Sequence, residues 1–272
     1  MGRLNKALER IKSREAAIRS ASGSYGRPAL SVPEIDQPGF ADPFVGDFAI
    51  TRLDRDHLNN KRVLTEDTDP GVRTAYKMLR TRVLQNLRAN GWRSLAVTSA
   101  AQGDGKTVTA INLAISMAGD VNHQVCLVDL DMRHSSVSHY LGLTPKTGVS
   151  QCLQDKAELS DIILKTDVDR LFVVPNTTQE EHTSELLSSP KMKSTCSQLT
   201  ANPNRTVIFD MPPVLAADDM LAFAPMVDAI LLVVAEGKTA RTDAMKANEL
   251  LMDLNVIGTL LNRSDEKTVA YY

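Results

Sequence analysis

The chain has 272 residues, room for one large domain or for one domain with an appendage. Hydrophobic residues make up 43% and charged residues 24%, the balance of an ordinary globular protein, and Lys+Arg 31 against Asp+Glu 33 leaves a net charge of -2. That charge excludes a dominant nucleic-acid or membrane-surface field and leaves room only for a local basic patch, so no nucleic-acid partner is expected. The longest apolar stretch, Ala224 to Ala235, is broken by Asp228 and falls short of the ~18 residues of a spanning helix. The N-terminus is charged throughout, with no apolar leader core. Cys126, Cys152 and Cys196 are too scattered for a disulfide framework or a metal-ligand spacing, so a reduced, cytoplasmic protein is expected.

Along the chain, the first quarter reads as an appendage. Leu4, Leu8, Ile11 and Ile18 recur at helical spacing over residues 2–18, in a helix that either docks on a partner or packs on its own domain. Residues 20–44 cluster Gly, Pro and Ser without periodicity and read as a flexible linker. Asp69-Pro70 then opens a second helix whose apolar stripe is Tyr76, Leu79, Val83, Leu84 and Leu87. Arg73, Lys77, Arg80, Arg82 and Arg88 on that helix are either a solvated face or a surface for acidic or phosphate partners.

From Arg93 the pattern is regular. Short aliphatic runs SLAVTS, QVCLVD, LFVVP, TVIFD, AILLVVA and VIGTLLN alternate with helical segments, among them one from Lys106 and one over Arg241 to Leu254. Apolar runs without strict alternation fit strands buried on both faces. The expected fold class is α/β, a mostly parallel β-sheet flanked by helices. The expected organisation is an N-terminal helix and linker over 1–68, the α/β domain over 69–265 and a tail over 266–272.

Three strand ends carry chemistry. SLAVTS runs into Ala101, Gln102, Gly103, Asp104, Gly105, Lys106, Thr107 and Val108, a glycine-containing loop that opens a helix. The glycines let successive N–H groups turn toward phosphate oxygens, the helix start adds its dipole, Lys106 reaches the β- and γ-phosphates, and the Thr107 hydroxyl ligates Mg²⁺. The first glycine of the usual G-x-x-x-x-G-K-[ST] pattern is Ala100 here. QVCLVD ends at Asp129, with Asp131 and Arg133 following, and TVIFD ends at Asp210, followed by Met211, Pro212 and Pro213. In an open parallel sheet the ligand crevice lies at the carboxyl ends of strands, so these three places converge. Carboxylates buried there call for a cation, and magnesium bound to phosphate is the natural one.

At these residues the chain resembles the bacterial tyrosine kinases of exopolysaccharide synthesis, a deviant Walker class of P-loop NTPase. Ala100 to Thr107 corresponds to the relaxed Walker A loop, Leu127 to Arg133 to the aliphatic D-x-D-x-R motif, and Val207 to Pro213 to the aliphatic D-x-x-P motif. The resemblance spans roughly residues 70–265. It implies ATP and Mg²⁺ as cofactors, Thr107 on the metal with Asp129 and Asp210 supporting it directly or through water, Lys106, Asp129, Asp131 and Asp210 as catalytic residues, and Asp131 or Asp129 as the base for an incoming tyrosine; similarity to related deviant P-loop ATPases adds Asn262 as a contact to the nucleotide base. Partitioning ATPases of the same class carry a second lysine where this chain has Ala101. An assembly or positioning ATPase switch is the alternative function.

The chain departs from that family in places. Its members end in a cluster of tyrosines, and here only Tyr271 and Tyr272 occupy the tail, as the expected phosphoacceptors. The E-x-x-R-x-x-R used in ring assembly reads Thr74, Lys77 and Arg80, so a homo-oligomer would need other contacts. The resemblance further implies a separate inner-membrane polysaccharide co-polymerase as activator, which would hold this chain peripherally at that membrane.

Overall fold

A computed structural model describes residues 42–121 and 123–264. The expected helix over 2–18 and the tyrosines of the tail lie outside the described residues. The compact unit begins at Ala41, so residues 42–68, grouped by sequence with the appendage, form part of the α/β unit.

The chain enters through strand β1 (Ile50–Thr51) and helix α1 (Arg55–Asn60). Helix α2 (Pro70–Asn90) starts where Asp69 accepts the N–H groups of Gly71 and Val72 at 2.7 and 3.2 Å, with proline in the first turn where no N–H is needed. Gly91 ends it in the left-handed conformation. Then come β2 (Ser94–Ser99), α3 (Lys106–Ala118), β3 (Gln124–Asp129), α4 (Val137–Leu141), α5 (Val149–Leu153), α6 (Leu159–Ile162), β4 (Leu164–Thr166) and β5 (Leu171–Val174). The rest is α7 (Thr183–Leu187), α8 (Pro190–Leu199), β6 (Arg205–Asp210), α9 (Asp219–Phe223), β7 (Ala229–Ala235), α10 (Arg241–Leu250) and β8 (Val256–Asn262).

The eight strands form one sheet in the order β1-β4-β5-β3-β6-β2-β7-β8. Every neighbouring pair is parallel except β4 with β5. The expected mostly parallel sheet is therefore found, with a reversed edge that sequence did not reveal. β1 and β4 are two and three residues long, too short for any periodicity to register.

Alternate residues of each central strand enter different cores. Leu95, Val97, Leu127, Ile208 and Leu231 pack under α2 and α3, and Ala96, Val128, Val207, Phe209 and Leu232 pack under α5, α8 and α9. Both faces being covered explains why β2 and β6 are buried along their whole length and carry apolar stretches, Leu95–Val97 and Val207–Phe209, without polar alternation. The predicted stripe on α2 faces the core: Val83, Leu84 and Leu87 are buried, Leu79 packs against them and Tyr76 is half-buried. Three of its basic residues bond within the chain, Arg73 to the Glu66 carbonyl, Arg80 to the Ser116 carbonyl and Arg88 to Asp120. The expected helix over Arg241 to Leu254 stops at Leu250, because the chain must turn there to bring β8 beside β7.

Candidate active site

β2 lies between β6 and β7, and its connection through α3 crosses to β3. The chain fans out to both sides there, and the crevice at the carboxyl end of β2 is the place such sheets reserve for a ligand. The loop Ala100–Gly105 fills its floor. Gly103 and Gly105 adopt φ of 79° and 95°, which only glycine enters without strain. A Cβ at Gly103 would run into Lys238 Nζ, and one at Gly105 into the Asn262 amide.

The loop is polarised. Its Ala101, Gln102, Gly103, Asp104 and Gly105 carbonyls all accept hydrogen bonds, from Ser99 Oγ, Lys238 Nζ, an Arg263 guanidinium nitrogen, Asn262 Nδ2 and the Thr109 N–H. The backbone N–H groups from Gln102 to Val108 have no partner among the described residues. Asp104 closes the loop by accepting the Ala101 N–H at 2.9 Å. Seven consecutive free amides at the uncapped start of a helix form a cradle for an anion with several oxygens.

Against this cradle the structure gathers Lys106, Thr107, Asp129, Asp131 and Asp210. Lys106 Nζ lies 2.7 Å from Asp131 Oδ2 and 3.3 Å from Asp210 Oδ1, and Thr107 Oγ1 donates to Asp210 Oδ2 at 2.7 Å. Asp129 and Asp210 stand directly opposite each other in the β3–β6 register. Asp129 Oδ2 accepts the N–H groups of Ser136 and Val137, both at 3.1 Å, while its Oδ1 is buried without a partner among the described residues. Ser136 Oγ donates to Thr107 Oγ1 at 3.2 Å.

Three buried carboxylates thus share one ammonium. Burial, then the charge of Asp210, push Asp129 well above the ordinary carboxylate range, with Lys106 only partly offsetting them. Burial likewise raises Asp210 against the pull of Lys106 and Thr107. Burial works against the Lys106 charge, but Asp210 and Asp131 outweigh it and hold the ammonium protonated. This surplus negative charge, the orphaned Asp129 oxygen and the Thr107–Asp210 pair fit a divalent cation. Among the described residues no three His, Cys, Asp or Glu side chains form a cage by themselves. A magnesium ion fits that pattern, since it keeps waters and takes few protein ligands beside phosphate.

Arg133, singled out with Asp131, reaches Asp219 at 3.1 and 3.4 Å, and Thr183 Oγ1 donates to the same carboxylate at 2.5 Å. It therefore ties the segment after β3 to α7 and α9. Asn262, expected at the nucleotide base, has its amide on the Asp104 carbonyl at 2.8 Å, behind the phosphate loop. Sequence reasoning passed over Ser136 and Lys238. Lys238 follows the end of β7, a strand end like those of β2, β3 and β6, but nothing else in the sequence sets it apart from a surface cation.

A buried amide steadies the loop carrying Asp131. Asn176 Nδ2 donates to Ser135 Oγ at 2.7 Å, and Ser135 Oγ donates to the Asp131 carbonyl at 3.1 Å. Asn176 Oδ1 accepts from Ser150 N and Oγ, and Nδ2 also donates to the Thr178 carbonyl, so the amide is fully used.

Residues 92–262 match the family described as an AAA domain. Tyrosine-protein kinase YwqD of Bacillus subtilis is 31% identical over 189 residues, covering 69% of this chain and 79% of that protein. The succinoglycan biosynthesis transport protein ExoP of Rhizobium meliloti is 28% identical over 193 residues, 69% of this chain and 24% of that much longer protein. Among solved structures, the VpsO kinase domain superimposes with a TM-score of 0.62 at 26% identity, covering 71% of this chain and 96% of that one.

Proposed function

Because the chain belongs to the bacterial tyrosine-protein kinases, we propose that it is an ATP-dependent protein-tyrosine autokinase that regulates exopolysaccharide biosynthesis or export. The observation that carries this reading is the meeting of seven amides, unpartnered among the described residues, with Lys106, Thr107 and three buried aspartates at one end of the sheet.

The residues divide the work by position. The amides of Gln102 to Val108 take the phosphate oxygens of ATP, and Lys106, on a flexible stem, carries its charge to the phosphate that is transferred. Thr107 and Asp210, with Asp129 behind them, would hold Mg²⁺, which would supply charge neutralisation on the phosphates. A tyrosine hydroxyl has a pKa near 10, so its attack on the γ-phosphorus needs a carboxylate to take its proton. Asp131 is that base. Asp129 is fully buried and bound by two amides, whereas Asp131 is paired only with Lys106 and with the His134 N–H through its other oxygen. When Lys106 engages phosphate, Asp131 is released to accept the proton as ADP departs.

The acceptors are Tyr271 and Tyr272, in the tail over 266–272. The activator is a separate inner-membrane polysaccharide co-polymerase. Among the described residues no helix is long and apolar enough to cross a membrane.

Intact-mass and peptide mass spectrometry after incubation with ATP and Mg²⁺ tests the reading, with the protein alone and with the cytoplasmic segment of a co-encoded membrane partner. Phosphate on Tyr271 or Tyr272 that is absent in Lys106→Met and in a Tyr271/Tyr272→Phe variant supports it. ATP consumed without phosphotyrosine under either condition replaces it with the ATPase switch.

A further inference from the structure

We propose that Lys238, Arg263 and Asn262 form an outer clamp that orients the phosphate loop by holding three successive carbonyls on its back. Lys238 Nζ donates to the Gln102 carbonyl at 2.7 Å, Arg263 to the Gly103 carbonyl at 2.8 Å and Asn262 Nδ2 to the Asp104 carbonyl at 2.8 Å. In a trans peptide unit the C=O and the following N–H point in opposite directions. No cis peptide occurs among the described residues. Pinning these three carbonyls outward therefore aims the amides of Gly103, Asp104 and Gly105 inward. The loop's one-sidedness, with the carbonyls from Gln102 to Gly105 bonded and the amides from Gln102 to Gly105 without partners among the described residues, is what such a clamp produces.

A glycine loop would not hold this orientation unaided. Gly103 and Gly105 have the widest backbone freedom of any residue, and each peptide unit can rotate between its two faces. The clamp is itself fixed. Lys238 sits in a turn closed by the N–H groups of Lys238 and Thr239 on the Ala235 carbonyl, and by Thr239 Oγ1 accepting the Ala235 N–H at 2.7 Å. Gly237 allows that turn with φ of 69°. The Glu236 N–H donates to the Asn262 carbonyl at 2.8 Å, so the turn after β7 and the end of β8 move as one piece. Orientation set before the ligand arrives is a cost already met when an anion binds.

The inference rests on the nucleotide reading of the site, and its test separates the two. Lys238→Met and Arg263→Met are compared with Lys238→Gln and Arg263→Gln, which keep a neutral donor. All four side chains replace exposed residues, so thermal stability should hold. Backbone ¹⁵N order parameters of the ligand-free protein report the clamp directly. Lys238→Met should lower the value at Gly103 and Arg263→Met that at Asp104, each from about 0.85 toward 0.6 or less. Fluorescence titration with Mg–ADP should show each Met variant weakened about five- to tenfold, roughly the effect of one exposed charge-assisted hydrogen bond, and each Gln variant within about twofold of wild type.

Unchanged order parameters overturn the clamp. So do Gln variants as weak as Met, since the cations would then act on the phosphates by charge alone. A wild-type protein that binds no Mg–ADP removes the nucleotide reading, while the order parameters still decide the clamp.

Discussion

The two ends of one strand pair bury charge in opposite ways. β3 and β6 run in register from Gln124 opposite Arg205 at their amino ends to Asp129 opposite Asp210 at their carboxyl ends. At the amino end the Arg205 guanidinium is fully buried, and it is matched. Asp42 takes it with both oxygens at 2.8 and 2.7 Å, the Leu199 carbonyl accepts at 3.1 Å, Gln124 accepts beside it, and Phe44 lies under the guanidinium at 3.6 Å. At the carboxyl end three carboxylates surround one ammonium and an oxygen of Asp129 has no partner among the described residues. Charge that serves only the fold is paired and saturated, as burial requires. Charge kept in surplus is charge waiting for a ligand.

The comparison breaks first, and most severely, at Asp131. Asp131→Asn removes the proton acceptor while leaving the cradle of amides intact, so phosphotyrosine formation should fall about a thousandfold, or ~4 kcal/mol, the scale of general-base loss. Mg–ADP affinity should change little, and single-turnover phosphate transfer beside equilibrium nucleotide titration would show the split. A proportional fall in nucleotide affinity would move Asp131 from base to binding residue.

At the saturated end the expected effect is on stability alone. Asp42→Ala leaves a buried guanidinium without its countercharge, which should destabilise the fold by ~3 kcal/mol with no change in phosphate transfer per folded molecule. Urea unfolding measures it. A loss below ~1 kcal/mol would mean that Leu199, Gln124 and Phe44 suffice for Arg205.

What the sequence disclosed follows the same division. Strands covered on both faces announce themselves as apolar runs, and β2, β3 and β7 lie where those runs placed them; β8 also lies on its run, though it is a half-exposed edge strand. Asp69-Pro70 marks a helix start by local chemistry and caps one. The surplus carboxylates were legible because polar residues at the ends of apolar runs are conspicuous. The matched end was not. Asp42 and Phe44 sit in a stretch read as linker, and their partner Arg205 lies more than 160 residues away, with no periodicity to link them. The clamp on the phosphate loop was hidden for the same reason, since Lys238 and Arg263 look like surface cations until the fold lays them on Gln102 and Gly103. The tie from Asn176 through Ser135 to Asp131 likewise joins three segments that sequence shows apart.

The smallest effect is the one that separates the two ends by sign. Burial is the largest single influence on Asp42 and raises it, but hydrogen bonding and charge from Arg205, with the Phe44 N–H and Asn202, together outweigh burial and set it below its ordinary 3.8; its stabilisation is present at neutral pH and lost as pH falls through that lowered value. Asp129 is the reverse. Its folded value lies well above 3.8, because of burial and then Asp210, so folding takes up a proton and the associated stability is lost as pH rises through the raised value. Asp129→Asn removes that penalty while its side-chain oxygen still accepts from Ser136 and Val137. In metal-free buffer the variant should match wild type near pH 4 and exceed it by ~1 kcal/mol or more at pH 8, raising Tm by about 2–4 °C, though phosphate transfer is impaired. Thermal unfolding across that pH range decides it. A variant less stable than wild type at pH 8 would place Asp129 with the matched charges of the amino end, and the surplus would then rest on Asp131 and Asp210 alone.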